Sequence, residues 1–243
     1  MRPAVNALIS LPPASNSPAP SVRAVNLRRV RKWWATVERV PLVAVAYAVV
    51  LLATSTWLET SSAGYEHHVL QQMSTDIWHL SHDPWVVLPA SAFFTTGGLA
   101  YAIAGALVCM GLLEREAGLL ITLLVAVSAH LIGTGVSEGV LAIRVATHDL
   151  PSTARHAIDV GPSYALVACA TCVIAWRKAW PQSRVICAVG LIPVFVFTAW
   201  RIPFGAVDAV GHLTAACVGV VWGWILTRRG AVPRRSGLIA SLR

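Results

Sequence analysis

The sequence predicts an all-α membrane protein whose chain crosses the bilayer six times. Three observations predict this fold class. The 243 residues are 56% apolar and 12% charged, about half the charge of an ordinary soluble domain. The mean hydropathy is +0.65. The apolar residues gather into runs near the roughly 20 residues that a helix needs to span hydrocarbon, and the basic residues between those runs alternate in number.

Residues 1–38 come first. They are rich in Pro, Ser, Ala and Asn, end near the basic run RRVRKWW, and read as a disordered basic cytoplasmic tail. The apolar run behind them starts too far in for a cleavable signal peptide. The membrane domain covers 39–228, with spans at 41–58, 86–113, 118–142, 160–176, 185–200 and 206–226. The second run is longer than a span needs. Thr95-Thr96-Gly97-Gly98 interrupts it and puts the start of the helix near Gly97. The fifth run is the shortest. Residues 229–243 form a cytoplasmic C-terminal tail.

The net charge of +8 is a topology signal. Of the 19 Lys and Arg, 16 fall in the N-terminal tail, the second and fourth connections and the C-terminal tail; only Arg144, Arg155 and Arg201 fall on the other side. The first connection, 59–85, has four acids (Glu59, Glu66, Asp76, Asp83) and no Lys or Arg. This asymmetry puts both termini in the cytoplasm of a plasma-membrane protein and excludes a nucleic-acid partner as its reason. The five cysteines, Cys109, Cys169, Cys172, Cys187 and Cys217, all lie inside spans and have no metal-ligand or disulfide framework. Neither a metal nor a cofactor is expected.

Ionisable residues inside spans are costly and so mark candidate sites. His130 and Glu138 lie on span three, Asp159 and Asp208 at the outer mouths of spans four and six, and His212 one turn into span six. Ser163 follows Asp159 by four residues, as His212 follows Asp208. Both therefore sit about 6 Å inside the same face. At one depth they suit a nucleophile and its base, provided that their helices touch. Span six carries Gly211, Ala215, Gly219 and Gly223 at four-residue spacing, and span four carries Gly161, Ala165 and Cys169; such small stripes let backbones approach closely. Ser163 is equally suited to the work of a helix-entry residue.

These residues resemble the rhomboid superfamily, and more narrowly the rhomboid-like membrane proteins of actinobacteria, over roughly residues 40–227. Gly161-Pro162-Ser163 is similar to the Gly-x-Ser of span four. Gly211-His212 with Ala215 and Gly219 is similar to the span-six motif. GLLEREAG, 111–118, resembles the turn closing span two, with Glu114 and Gly118 in its Glu and Gly places. The resemblance implies a six-helix rhomboid-like bundle, a first outer connection lying in the membrane interface, and a Ser163–His212 dyad. The segment 64–94, with its Trp, Tyr and His67, His68, His79 and His82, suits an interfacial loop. Two departures stand against activity. The places of the family's oxyanion donors fall near Gly98 and Ala102, which have no side-chain donor, and the residue after the serine is bulky Tyr164. Losing one oxyanion donor costs about 100- to 1,000-fold in rate.

Three readings follow. The first is a rhomboid-like bundle without protease activity that binds transmembrane segments of other proteins. The second is an active intramembrane serine protease. The third, from another class, is a small transporter using Glu138 and His130 as its polar path. The lipid bilayer is a partner in all three.

Overall fold

The computed structural model describes residues 40–201 and 207–234. The tail 1–38, the side chain of Arg201 and the chain beyond 234 lie outside the described residues. Everything described is helix, turn or loop. The helices are α1 (Leu42–Glu59), α2 (Ala63–Gln72), α3 (Ile77–His82), α4 (Pro84–Ser91), α5 (Leu99–Gly105), α6 (Gly111–Ala117), α7 (Leu119–Ala146), α8 (Ser163–Ala175), α9 (Pro181–Arg201) and α10 (Val207–Arg228). Three of them, α1, α7 and α10, are long and apolar enough to cross a membrane. Two shorter apolar helices are α8 and the Pro181–Val196 part of α9.

The second apolar run is divided. Gly97 and Gly98 both have positive φ, and the helix begins just after them at Leu99. Helix α5 continues through a π-turn, Ala106–Met110, into α6. The part before Gly97 forms the short helix α4 instead. Helix α9 starts four residues earlier than hydropathy suggests because Pro181 opens it, and proline is suited to a first helical turn. Helix α7 runs four residues past its expected end.

Helix α8 is the axis of the bundle. Tyr164 to Val173 are all buried, as expected of a helix that is apolar all round and enclosed by neighbours. Helices α10 and α7 make its principal contacts. The small stripe of α10 meets it closely. A Cβ on Gly211 would overlap the Tyr164 hydroxyl, one on Gly219 would overlap Thr171 and the Ala168 carbonyl, and one on Gly223 would come within 2.6 Å of the Cys172 carbonyl. The face of α8 in this contact therefore runs through Tyr164, Ala168, Thr171 and Cys172. It is not the expected Gly161–Ala165–Cys169 row: ring and hydroxyl side chains slot against the glycines.

Two buried glutamates join the helix ends. Glu114 accepts the Val43 and Ala44 N–H groups, one on each carboxylate oxygen, both at 3.0 Å. It supplies the first turn of α1 with the cap that Pro41 does not. Glu116 accepts the Trp180 N–H at 3.0 Å just before α9. A helix start leaves four N–H groups without partners, so two glutamates of α6 satisfy the starts of two helices remote in sequence. The reversal into α7 needs Gly118, whose φ of +94° disfavours other residues.

Helix α4 shows the same logic at its C-terminal end. Side chains from the long helices hold the Leu88 carbonyl in its last turn and the Ala92 and Phe93 carbonyls just past it. The Tyr47 hydroxyl donates to the Ala92 carbonyl and Thr54 Oγ1 to the Phe93 carbonyl, both at 2.6 Å. His130 Nε2 donates to the Leu88 carbonyl at 2.8 Å and lies 3.1 Å from Ser91 Oγ.

Candidate functional site

Helix α7 presents His130, Gly133, Thr134, Ser137 and Glu138 on one buried face. The spacing of three and four residues stacks them along a single stripe. Against this stripe lies Tyr164, at the start of α8. Its ring packs within 3.1 Å of a Cβ position on Gly133, and its hydroxyl donates to Ser137 Oγ at 3.4 Å. On the other side Tyr164 meets α10. Its ring stands edge-on to the His212 imidazole, with centroids 5.3 Å apart and planes at 74°.

The His212 ring is anchored by α9. Its Nδ1 lies 3.1 Å from Thr198 Oγ1, and its Nε2 is buried without a hydrogen-bond partner. His130 Nδ1, Thr134 Oγ1 and Glu138 Oε2 are likewise buried without partners. Four such atoms around one tyrosine are unusual, since the great majority of buried polar atoms are paired. His130 and Glu138 do share the inner face that their spacing predicts.

Ser163 is the first residue of α8 and is half-buried. Pro162 precedes it in the N-cap position, and no side chain caps this helix. The expected capping role of Ser163 is therefore not made: one residue past the cap, a serine is inside the first turn. Among the described residues, no hydrogen bond joins Ser163 to His212. Successive side chains leave a helix about 100° apart, so Ser163 does not share the direction that brings Tyr164 against the imidazole. Gly98 is left-handed at φ +67°, and Ala102 is buried one turn into α5. Neither contributes a side-chain donor.

The loops that precede α3 and α8 are bonded together. Asp159 accepts the Thr75 N–H and Thr75 hydroxyl at its carbonyl, both at 3.0 Å, and its own N–H donates to Ser74 Oγ at 2.8 Å. The Thr75 hydroxyl also lies 3.3 Å from Asp159 Oδ2. Gly161 N–H donates to the Ser91 carbonyl at 2.9 Å. Burial pushes the Asp159 carboxyl up to about 6; the Thr75 hydrogen bond opposes this and the charge of Asp208 adds to it. Asp76, fully buried, accepts the His79 N–H at 2.8 Å and pairs with His79 Nδ1 at 2.9 Å. His82 stacks on Trp78 at 4.4 Å, and His79 meets the same ring edge-on at 4.8 Å.

Sequence reasoning singled out His130, Glu138, Tyr164, Gly211 and His212 but not Ser137, Thr134 or Thr198. The signal for the first two was present, as hydroxyls four and seven residues after His130. Thr198 had none, because its contact crosses between helices.

A family model described as "Rhomboid-like protein" matches residues 35–231. No curated protein and no solved structure matches the chain.

Proposed function

The chain belongs to the rhomboid-like protein family, and on that premise we propose that this multi-pass membrane protein binds transmembrane segments of other proteins without cleaving them. The observation that carries the reading is the Tyr164 ring, buried edge-on against His212 with its hydroxyl over Gly211. A base must reach its nucleophile within about 3 Å, and here an aromatic ring stands against the imidazole. The lack of donors at Gly98 and Ala102 supports the same reading, because an oxyanion would lose its side-chain stabilisation there. The surface for a client is apolar helix. Val185, Val189, Ile192 and Val196 form an exposed stripe on α9, at the spacing of one helix face. The proposal includes six spans, an outer-face position for Ser163 and His212, and both termini in the cytoplasm, which the distribution of Lys and Arg supports.

A second reading, an intramembrane serine protease, is favoured by one specific observation. His212 Nδ1 is held by Thr198 and its Nε2 is unpartnered, the arrangement of a base awaiting a proton. In that reaction Ser163 Oγ bonds to the substrate carbonyl carbon while His212 takes its proton and passes it to the leaving amine.

Fluorophosphonate labelling in membranes separates the two. The expected result is no labelling of the wild-type protein, with Ser163→Ala fully restoring whatever phenotype a deletion produces. Wild-type labelling that disappears in both Ser163→Ala and His212→Ala would overturn the non-cleaving reading.

A further inference from the structure

A groove of about 420 Å³ lies between α4 and α7, lined by Trp85, Leu88 and Phe93 on one side, Val127 and Leu131 on the other, and Ala165 of α8. It is open to the surface, and Trp85 at its edge is 88% exposed. Its walls are almost wholly apolar. His130 is the polar side chain that reaches it, and the Nε2 of that ring is already committed to the Leu88 carbonyl.

Size and polarity decide what fits. A helix 10–12 Å across that rises 1.5 Å per residue takes roughly 120–170 Å³ per residue, so the groove holds only about three residues of one. An extended peptide would bring an N–H and a C=O with every residue, and each left unpaired in an apolar wall is costly. A hydrocarbon chain is narrow and has no polar group to satisfy. The groove also continues the lipid-facing surface. Leu120, Leu124, Val127 and Leu131 are all exposed and follow one another along a single face of α7, so the row that meets lipid along the helix runs directly into the groove. We propose that the groove seats one acyl chain of a bilayer phospholipid, wedged between α4 and α7.

The test uses the full chain in phosphatidylglycerol vesicles containing phosphatidylglycerol with a photoreactive diazirine on one acyl chain. Adducts are mapped by mass spectrometry. The expected result is labelling of Trp85, Phe93 or Leu131 several-fold above that of Val49 and Leu52, which are exposed on α1. Ala165→Phe fills the groove and should bring that labelling down to the α1 level. Val127→Trp, at an exposed position, should do the same without a change inside the core, so it decides the matter if Ala165→Phe does not fold. Equal labelling of the groove and α1, or groove labelling unchanged in Val127→Trp, would overturn the proposal. So would preferential labelling of the groove by a diazirine-bearing transmembrane peptide in the same vesicles.

Discussion

Gly211 and Tyr164 share a space that admits no further atom. A Cβ at Gly211 would overlap the tyrosine hydroxyl, whereas a Cβ at Gly135, also within a helix, meets nothing within 4 Å. The two glycines therefore respond to alanine with opposite signs. Gly135→Ala should be neutral or stabilise by up to about 1 kcal/mol through helix propensity. Gly211→Ala should destabilise by about 1–3 kcal/mol through overpacking. Thermal unfolding in detergent reads both, and equal midpoints would refute the close contact. Asp159 supplies a pH dependence. Its carboxyl is raised from 3.8 to about 6 in the folded chain, so between those values the folded state holds the proton that the unfolded state has released. Its contribution to stability is therefore fullest below pH 3.8, falls as pH rises, and levels off above about 6, for a total of up to about 3 kcal/mol. Asp159→Asn should remove that part of the slope when melting is followed from pH 4 to 7. An unchanged slope would show that the carboxyl stays in contact with water.

Short connections and helix ends carry much of the specificity at the level of the element. The short helix α6 places one carboxylate on the first turn of α1 and another before α9. Glu114→Ala leaves the Val43 and Ala44 N–H groups without their acceptor, and each such loss costs about 1–3 kcal/mol when the group stays buried. Faster hydrogen exchange confined to those two amides is expected, with Glu114→Gln between wild type and alanine because it keeps one acceptor oxygen. Exchange that rises uniformly along α1 would instead mean that the helix undocks whole. Helix α4 is held in the converse way, by three donors on the carbonyls of its last turn and of the two residues that follow it. Its position depends on Tyr47, Thr54 and His130, residues 40 or so positions away in the chain.

At the scale of the whole molecule, the described residues form a set of helices around α8, and the proposed orientation in the membrane rests on the distribution of charge. Alkaline phosphatase fused after Arg229 should be inactive, and a fusion at His148 active, because the enzyme works only outside the cytoplasm; the reverse pattern would invert the proposed topology. Much of the architecture was legible in the sequence. Apolar runs report helices because every backbone polar group in lipid must be satisfied within its own segment. The four-residue glycine spacing of α10 reported its close contact, since small residues mark where helices meet. Both signals are one-dimensional, and the sequence by itself therefore determined the helical class, three clear membrane-length helices among the six expected spans, the order of the rhomboid-like motifs and the stripe beside His212. Which atoms meet across the stripe is set by the rotation of each helix about its axis. A shift of one residue turns that axis by about 100°, and hydropathy is nearly blind to the turn when a helix such as α8 is apolar all round. Only the tertiary structure decided that Tyr164 stands against His212, that Thr198 holds the imidazole, and that Glu114 and Glu116 close helices remote from them in the chain.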